Sequence, residues 1–267
     1  MINLDADAIL QSIGEAAAAR LSDFNVFSEI ESTNTYLMRQ DGPLPGRLLV
    51  AATNNQTMGR GRHGRTWQSP PGSGLCMSFA YTFGVPPANL PALTLAIGIG
   101  VIAALESTGA AGVRLKWPND LMADEGKLGG ILTESQSRSS GEITVVTGVG
   151  INVDLGDVSD LGQEMGSARR IADIAGIAAV LPKHEDLAAR LIDSLCATFV
   201  DFETEGFDRY VQQWGERDWL FGRELVIDMQ QQQVTGTGAG IANDGALLVD
   251  TGEGMIRRIR SGSVLLL

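Results

Sequence analysis

The sequence predicts an α+β protein: a mixed β-sheet flanked by helices, followed by a small C-terminal β-barrel. Three observations predict it. Apolar runs of strand length stand at Leu48 to Ala52 and Leu75 to Phe83. A helix-length apolar segment, Ala92 to Ser107, follows Pro91. From Gly222 onward, short strands alternate with glycine-rich and Asn-Asp-Gly turns, the texture of a small all-β module. These place a boundary near residue 220, giving domains 1–220 and 221–267.

In chain order, residues 5 to 20 have helical spacing through Ala8, Ile9, Ile13 and the run Ala16 to Ala19. That segment is too short for a winged helix-turn-helix. Phe24 to Ile30 reads as a strand, and Ser32-Thr33-Asn34 caps a short helix reaching Met38. The long segment after Pro91 carries Ala96, Gly98, Gly100, Ala103 and Ala104, which let a helix lie close to a sheet. Val113 to Lys116 alternates like a strand, and Lys127 to Glu134 with Glu142 to Val153 forms a further hairpin. Residues 154 to 182 are irregular, with a weak helix signal near Ile171 to Ile174. Asp186 to Phe202 and Phe207 to Trp214 are helical by apolar spacing. The last four strands expected are Glu224 to Met229, Val234 to Ile241, Gly245 to Asp250 and Met255 to Ile259; Gln230 to Gln233 reads as an exposed hairpin connection.

A chain of 267 residues buries enough surface to fold without staples, and its two cysteines show no disulfide pattern. Cys76 lies inside an apolar run and reads as a core residue. The N-terminus lacks a secretory signal, and no uninterrupted apolar run of bilayer length is read from the sequence. A reducing, cytoplasmic location is expected. The net charge of −12 argues against a generic nucleic-acid or anionic-membrane binder.

Against that charge, Gly59-Arg60-Gly61-Arg62-His63-Gly64-Arg65-Thr66-Trp67 concentrates three arginines and three glycines between two strands. Glycines allow positive φ and close approach to a ligand, and a guanidinium presents a fixed fork to carboxylate or phosphate. Arg60 and Arg62, two apart in an extended segment, are expected on one side. The stretch reads as a mobile anion-binding loop; a solvated basic hairpin tip is the alternative. Lys116-Trp117-Pro118-Asn119-Asp120 follows a strand, where Pro118 ends the ladder and displays Asn119 and Asp120. Lys127 opens the next strand with its ammonium toward the same cavity, and Gly129 and Gly130 leave room against the sheet. The alternative is an ordinary turn with a surface lysine. Gly148-Val149-Gly150-Ile151-Asn152 bares one strand face, either for a flat ring met by the Asn152 amide or for close packing of a helix. Phosphate-loop, dinucleotide-fingerprint and nucleophile-elbow motifs are missing, and His63 and His184 lack zinc-ligand spacing, so no protein metal site is expected.

Together, Ser32-Thr33-Asn34, Gln56, the arginine loop, Lys-Trp-Pro-Asn-Asp, Lys-Leu-Gly-Gly-Ile-Leu and Gly-Val-Gly-Ile-Asn resemble a biotin protein ligase, in the family's order over residues 28 to 153. The resemblance implies a class II synthetase-like catalytic domain and an SH3-like C-terminal barrel. It implies two reactions: biotin and ATP, with magnesium, give biotinyl-5′-AMP, and a lysine of a biotin carboxyl carrier domain of a carboxylase then takes the biotinyl group. Carried over, Ser32, Thr33, Asn34 and Gln56 would bond the ureido ring. Gly59, Arg60, Gly61, Arg62, Trp67, Lys127 and Gly129 would complete the biotin site. Arg60, Arg62, Arg65, Lys116, Asn119, Lys127 and Asn152 would take the nucleotide, with Lys127, Arg62 and Asp120 catalytic. The monofunctional class is implied, as a monomer or homodimer without DNA or membrane partners. A lipoate or octanoate ligase, or a non-catalytic sensor of biotin or its adenylate, is the rival reading.

Overall fold

The computed structural model describes residues 4–68, 70–137, 139, 141–156, 170–229, 232–252 and 254–267. Part of the irregular 154–182 region and of the Gln230 to Gln233 connection therefore lies outside the described residues. The N-terminal segment is two short helices, α1 (Ala6–Ser12) and α2 (Glu15–Arg20). Asp5 caps the first by accepting from the Ala8 N–H at 3.1 Å. The single helix expected is interrupted because Ile13 and Gly14 are extended, and the Gly14 N–H leaves for Asp193 Oδ1 at 2.7 Å.

The main sheet has the order β1-β2-β3-β7-β6-β5-β4. Its strands are β1 (Leu21–Phe27), β2 (Leu48–Thr53), β3 (Gly74–Phe83), β4 (Val113–Lys116), β5 (Asp120–Ala123), β6 (Gly126–Ser137) and β7 (Ile143–Asn152). The short β8 (Arg170–Ile171) pairs with β6, where the sequence carries a weak helix signal. The β1–β2 and β6–β8 pairs are parallel and the rest antiparallel, so the sheet is mixed. Strand β1 begins three residues earlier than the sequence predicts. Strand β5 escapes the sequence pattern because it has four residues and carries Asp120 and Met122, which give no clean alternation.

One sheet face is covered by α4 (Leu93–Ser107) and α5 (His184–Glu205), and α6 (Asp208–Arg217) follows. The small residues of α4 do what their size predicts. A Cβ at Gly98 would lie 2.9 Å from Leu115 of the sheet, and one at Gly100 would lie 2.9 Å from Leu195 on α5. Helix α4 is thus wedged between the sheet and α5. Leu90–Ser107 does reach membrane-spanning length and hydropathy, contrary to the sequence reading, and two-thirds of it is buried in the fold. On α5, Leu187, Leu191, Leu195, Phe199 and Phe202 are buried, each contributing about 2 kcal/mol of transfer free energy. Phe199 stacks on Tyr81 of β3 at 5.0 Å. The other face of the sheet holds α3 (Thr33–Met38), which packs on β2, β3 and β7.

The C-terminal part is a five-stranded antiparallel sheet ordered β12-β11-β10-β9-β13. It comprises β9 (Glu224–Asp228), β10 (Gln233–Ile241), β11 (Leu247–Asp250), β12 (Ile256–Ile259) and β13 (Ser263–Leu266). Strand β13, whose four residues follow Ser261-Gly262, is one more than the sequence predicts. Trp117 Nε1 donates to Gly245 O at 3.0 Å, and Arg223 pairs with Glu125 through two bonds of 2.7 and 2.9 Å. These contacts seat the five-stranded sheet against the β4–β5–β6 side of the larger one.

Candidate active site

The face left open beside α3 forms a cavity of about 710 Å³, within the size range of small-ligand sites. Strand register explains its floor. Across β3, β7, β6, β5 and β4, one lateral row reads Cys76, Gly150, Gly130, Asp120, Lys116. The next row reads Ser78, Gly148, Leu132. All eight residues line the cavity.

The glycines of β7 are bare for reasons now visible. A Cβ on Gly148 would collide with Asn34 Oδ1, and one on Gly150 would sit 2.6 Å from Trp67 Cε2. The flat ring over Gly150 is therefore the protein's own tryptophan. Gly130 faces the same space, with Lys127 and Trp67 beside it at 3.4 and 3.6 Å. Gly129 does not: its Cβ would meet Gly150 O and Leu121, and it is not among the cavity's lining residues. Of the two glycines, Gly130 is the one that makes room.

Lys127 reaches the cavity through an irregularity. The β5–β6 register pairs Leu121 with Gly129 but Met122 with Lys127, so Leu128 is an extra residue. Such a bulge reverses the alternation, which turns Lys127 to the face that Gly130 occupies. Its Nζ donates to Asp120 Oδ1 at 2.6 Å and lies 5.8 Å from the Trp67 ring.

At the N-terminus of α3, Ser32 caps the helix by accepting from Thr35 N. Thr33 gives its N–H to Gln56 Oε1 at 2.8 Å, and its hydroxyl lies 2.7 Å from Ser78 Oγ. Ser78 donates to Asn34 Oδ1 at 2.6 Å, and Asn34 Nδ2 donates to Leu132 O and Glu134 Oε2 at 3.2 and 3.1 Å. Glu134 in turn takes Arg60 bidentately at 2.7 and 3.0 Å. Gln56, Thr33, Ser78, Asn34, Glu134 and Arg60 form one polar chain, in which Glu134 holds Asn34 and Arg60 from outside the cavity's lining.

The arginine stretch is a hairpin rather than an extended segment. Gly61 N–H donates to Arg65 O and Trp67 N–H to Gly59 O, at 2.7 and 2.9 Å. A turn at Arg62–Gly64 closes it, with His63 and Gly64 at φ 56° and 73°. The turn breaks the two-residue alternation, so Arg60 and Arg62 diverge. Arg60 goes to Glu134, and Arg62 donates to Asn119 Oδ1 at 3.3 Å. Burial lowers the Arg62 pKa and nearby Asp120 opposes that effect. Arg65 points to Ser263 Oγ of β13 at 3.3 Å, and Gly262 to Leu265 complete the cavity wall. Gly59 is needed because its Cβ would strike the Trp67 carbonyl.

The Trp117–Pro118 bond is cis, and Trp117 to Asn119 make the turn joining β4 and β5. Asn119 is fixed through Nδ2 to Ile131 O at 2.8 Å. Asn152 continues the Gly148–Gly150 face as expected, but it is buried. It spends both amide donors on backbone, to Lys127 O at 3.3 Å and Ala172 O at 3.0 Å. It braces the start of β6 and does not line the cavity. Among the described residues no group of three acidic, His or Cys side chains could hold a metal ion.

Residues 26–152 match the biotin/lipoate A/B protein ligase family, and residues 220–267 match the biotin protein ligase C-terminal domain. The bifunctional ligase/repressor BirA of Salmonella typhimurium is 34% identical over 264 residues, spanning 98% of this chain and 78% of that protein. The chain belongs to the biotin protein ligase family. A biotin–[acetyl-CoA-carboxylase] ligase of Mycobacterium tuberculosis is 31% identical over 91% of this chain and 88% of its own length. Among solved structures, the biotin protein ligase of Aquifex aeolicus in complex with biotin and ATP superposes with a TM-score of 0.73. It is 25% identical, and the match covers 93% of this chain and 98% of that one. The mixed sheet with flanking helices and the small C-terminal sheet are thus the architecture of this ligase family.

Sequence reasoning brought Ser32, Thr33, Asn34, Gln56, Arg60, Gly61, Arg62, Arg65, Trp67, Lys116, Asn119, Asp120 and Lys127 to one ligase cavity, and all line it. It missed Ser78 and the β13 residues in the lining, and Glu134, which holds Asn34 and Arg60 from outside it. Ser78 had a partial signal: with Thr82 it is one of two small hydroxyl residues in the mainly apolar run Leu75–Phe83. Glu134 reads as a routine strand-end charge, and β13 reaches the site only through tertiary packing.

Proposed function

We propose that Lys127 and Arg62 bring the carboxylate of biotin and the α-phosphate of ATP together in this cavity. As a biotin protein ligase, the chain is an enzyme that activates biotin as biotinyl-5′-AMP with release of pyrophosphate. It then transfers the biotinyl group to a carrier protein of a biotin-dependent carboxylase. One observation carries the assignment of roles: the bulge at Leu128 turns Lys127 toward Asp120, beside Arg62, in a single cavity.

The first step sets two anions against each other. At ~4 Å and an effective dielectric of 20 they repel by about 4 kcal/mol. Lys127 and Arg62 offset that repulsion and continue to hold the charge that develops at phosphorus. Asp120 fixes the Lys127 ammonium, and Asn119 fixes the Arg62 fork. Gln56, Thr33, Ser78 and Asn34 present alternating donors and acceptors, the complement of a cyclic urea with two N–H groups and one carbonyl. Trp67 walls the site and keeps water from the mixed anhydride. Magnesium enters with ATP as the MgATP substrate. In the second step the carrier amine attacks the acyl carbonyl, its proton passes toward Asp120, and AMP leaves. A lysine of pKa near 10.4 is deprotonated in only about one molecule in a few thousand at pH 7, so a nearby carboxylate is useful.

In this reading the protein acts in the cytoplasm as a monomer or homodimer, and its net charge of −12 disfavours DNA and anionic membrane as partners. The test is incubation with MgATP, biotin and a purified carrier domain. Mass spectrometry should show one biotinyl group added, and none when the acceptor lysine is changed to arginine. A carrier of unchanged mass refutes the proposal.

A further inference from the structure

The segment joining α6 to β9 approaches the cavity from behind. Trp219 is 4% exposed and fixed at two points: its N–H donates to Leu115 O of β4 and its Nε1 to Asp124 O of the β5–β6 turn, both at 2.9 Å. Two cations share its ring. Lys116 Nζ is 5.4 Å from the ring centroid, and Arg223 Cζ is 4.0 Å from it. Both distances fall within the range of cation–π attraction. The bidentate pair with Glu125 offsets the charge of Arg223, which lets a second cation approach the same ring. Lys116 is buried and lines the cavity in the row that contains Asp120.

The joining segment is equally fixed on its other side. Gly222 N–H donates to Gly238 O at 2.8 Å, and Gly238 N–H donates to Arg223 O at 2.9 Å. A Cβ at Gly238 would collide with Leu220 O, so only glycine lets β10 approach this closely.

We infer that Trp219 and Arg223 are positioning residues that hold the Lys116 ammonium in the cavity for the phosphates of ATP, making the segment between the two sheets part of the nucleotide site. The inference rests on the ligase reading above. A lysine stem rotates about four bonds, so an aromatic face fixed by two hydrogen bonds confines its ammonium where a ligand needs it.

Two measurements test this, with and without ATP. The side-chain resonances of Lys116 in ¹³C-lysine-labelled protein should show a ring-current displacement. Trp219→Leu should abolish it, and Arg223→Met should shift it. In biotin-dependent ATP–pyrophosphate exchange, Trp219→Leu should raise the KM for ATP about tenfold and leave the KM for biotin within about twofold. Trp219→Phe and Arg223→Lys should recover most of the loss. Adding Trp219→Leu to Lys116→Met should cost nothing further. An unmoved Lys116 resonance in Arg223→Met, or additive defects in the double variant, overturns the inference. If Trp219→Leu does not fold, Arg223→Met with Lys116→Met decides the matter. Wild-type protein without biotin-dependent exchange would refute the ligase reading, while the resonance comparison still judges the positioning role.

Discussion

Replacing Gly150 by alanine tests the cavity floor with one methyl group. That carbon would stand 2.6 Å from Trp67 Cε2 and 2.9 Å from Nε1 and Cζ2. Comfortable carbon contacts begin near ~3.5 Å, so the indole must retreat by about 1 Å. It has little freedom to do so. The Trp67 N–H is held by Gly59 O, Gly59 has no space for adjustment, and Lys127 lies over the same ring. Displacement therefore spreads to the hairpin carrying Arg62 and to the ammonium of Lys127. A misplacement of that size costs on the order of 100-fold in rate when it reaches reacting groups. Gly130→Ala is the control. It lies opposite in the same row, but its nearest neighbours would be 3.4 to 3.6 Å away, and the closest belong to a flexible lysine. Biotin-dependent pyrophosphate exchange should fall about 100-fold in Gly150→Ala and less than about fivefold in Gly130→Ala, with thermal unfolding showing both variants folded. Equal activity in the two folded variants would show that the indole does not need this strand face bare.

Lys127→Ala and Arg62→Ala should each lose adenylate formation by about 100- to 1,000-fold, measured as pyrophosphate release, since each removes a cation from the developing charge. Ser78→Ala should raise the KM for biotin about tenfold with the KM for ATP unchanged, because Thr33 and Asn34 lose the hydroxyl between them. Asp218 predicts a pH dependence of stability. Burial raises its pKa to about 6, and its Oδ2 has no hydrogen-bond partner among the described residues. Folding therefore takes up a proton between pH ~4 and 6. The favourable contribution is full at low pH and is lost as the pH rises through 6, about 3 kcal/mol in all. Urea unfolding of Asp218→Asn should lack that component of the wild-type profile; parallel profiles would refute it.

The large elements were legible wherever the pattern was local. The apolar runs of β2 and β3, the small residues of α4 and the stripe on α5 each name their own structure. The motifs of the cavity were legible because each is contiguous. What escaped depended on register. Leu128 gives no sequence sign of being an extra residue, so strand alternation alone does not tell which face Lys127 takes. The pairing Ser78–Gly148–Leu132 joins the β6–β7 hairpin to β3, which lies far before it in the chain. The glycines of β7 were read correctly as space, but the ring filling that space comes from Trp67, which only the folded hairpin delivers. Asn152 shows the opposite limit: its place on the face was legible, and its buried backbone partners were not.

The pairing of Arg60 with Glu134 and of Lys127 with Asp120 makes occupancy of the cavity an exchange of counter-ions. In the proposed reading, an incoming carboxylate or phosphate competes with Glu134 and Asp120 for the cations they hold. In that reading the Asp120 carboxylate, once displaced from Lys127, is free to receive an arriving ammonium, so filling the site for the first reaction prepares the receptor for the second.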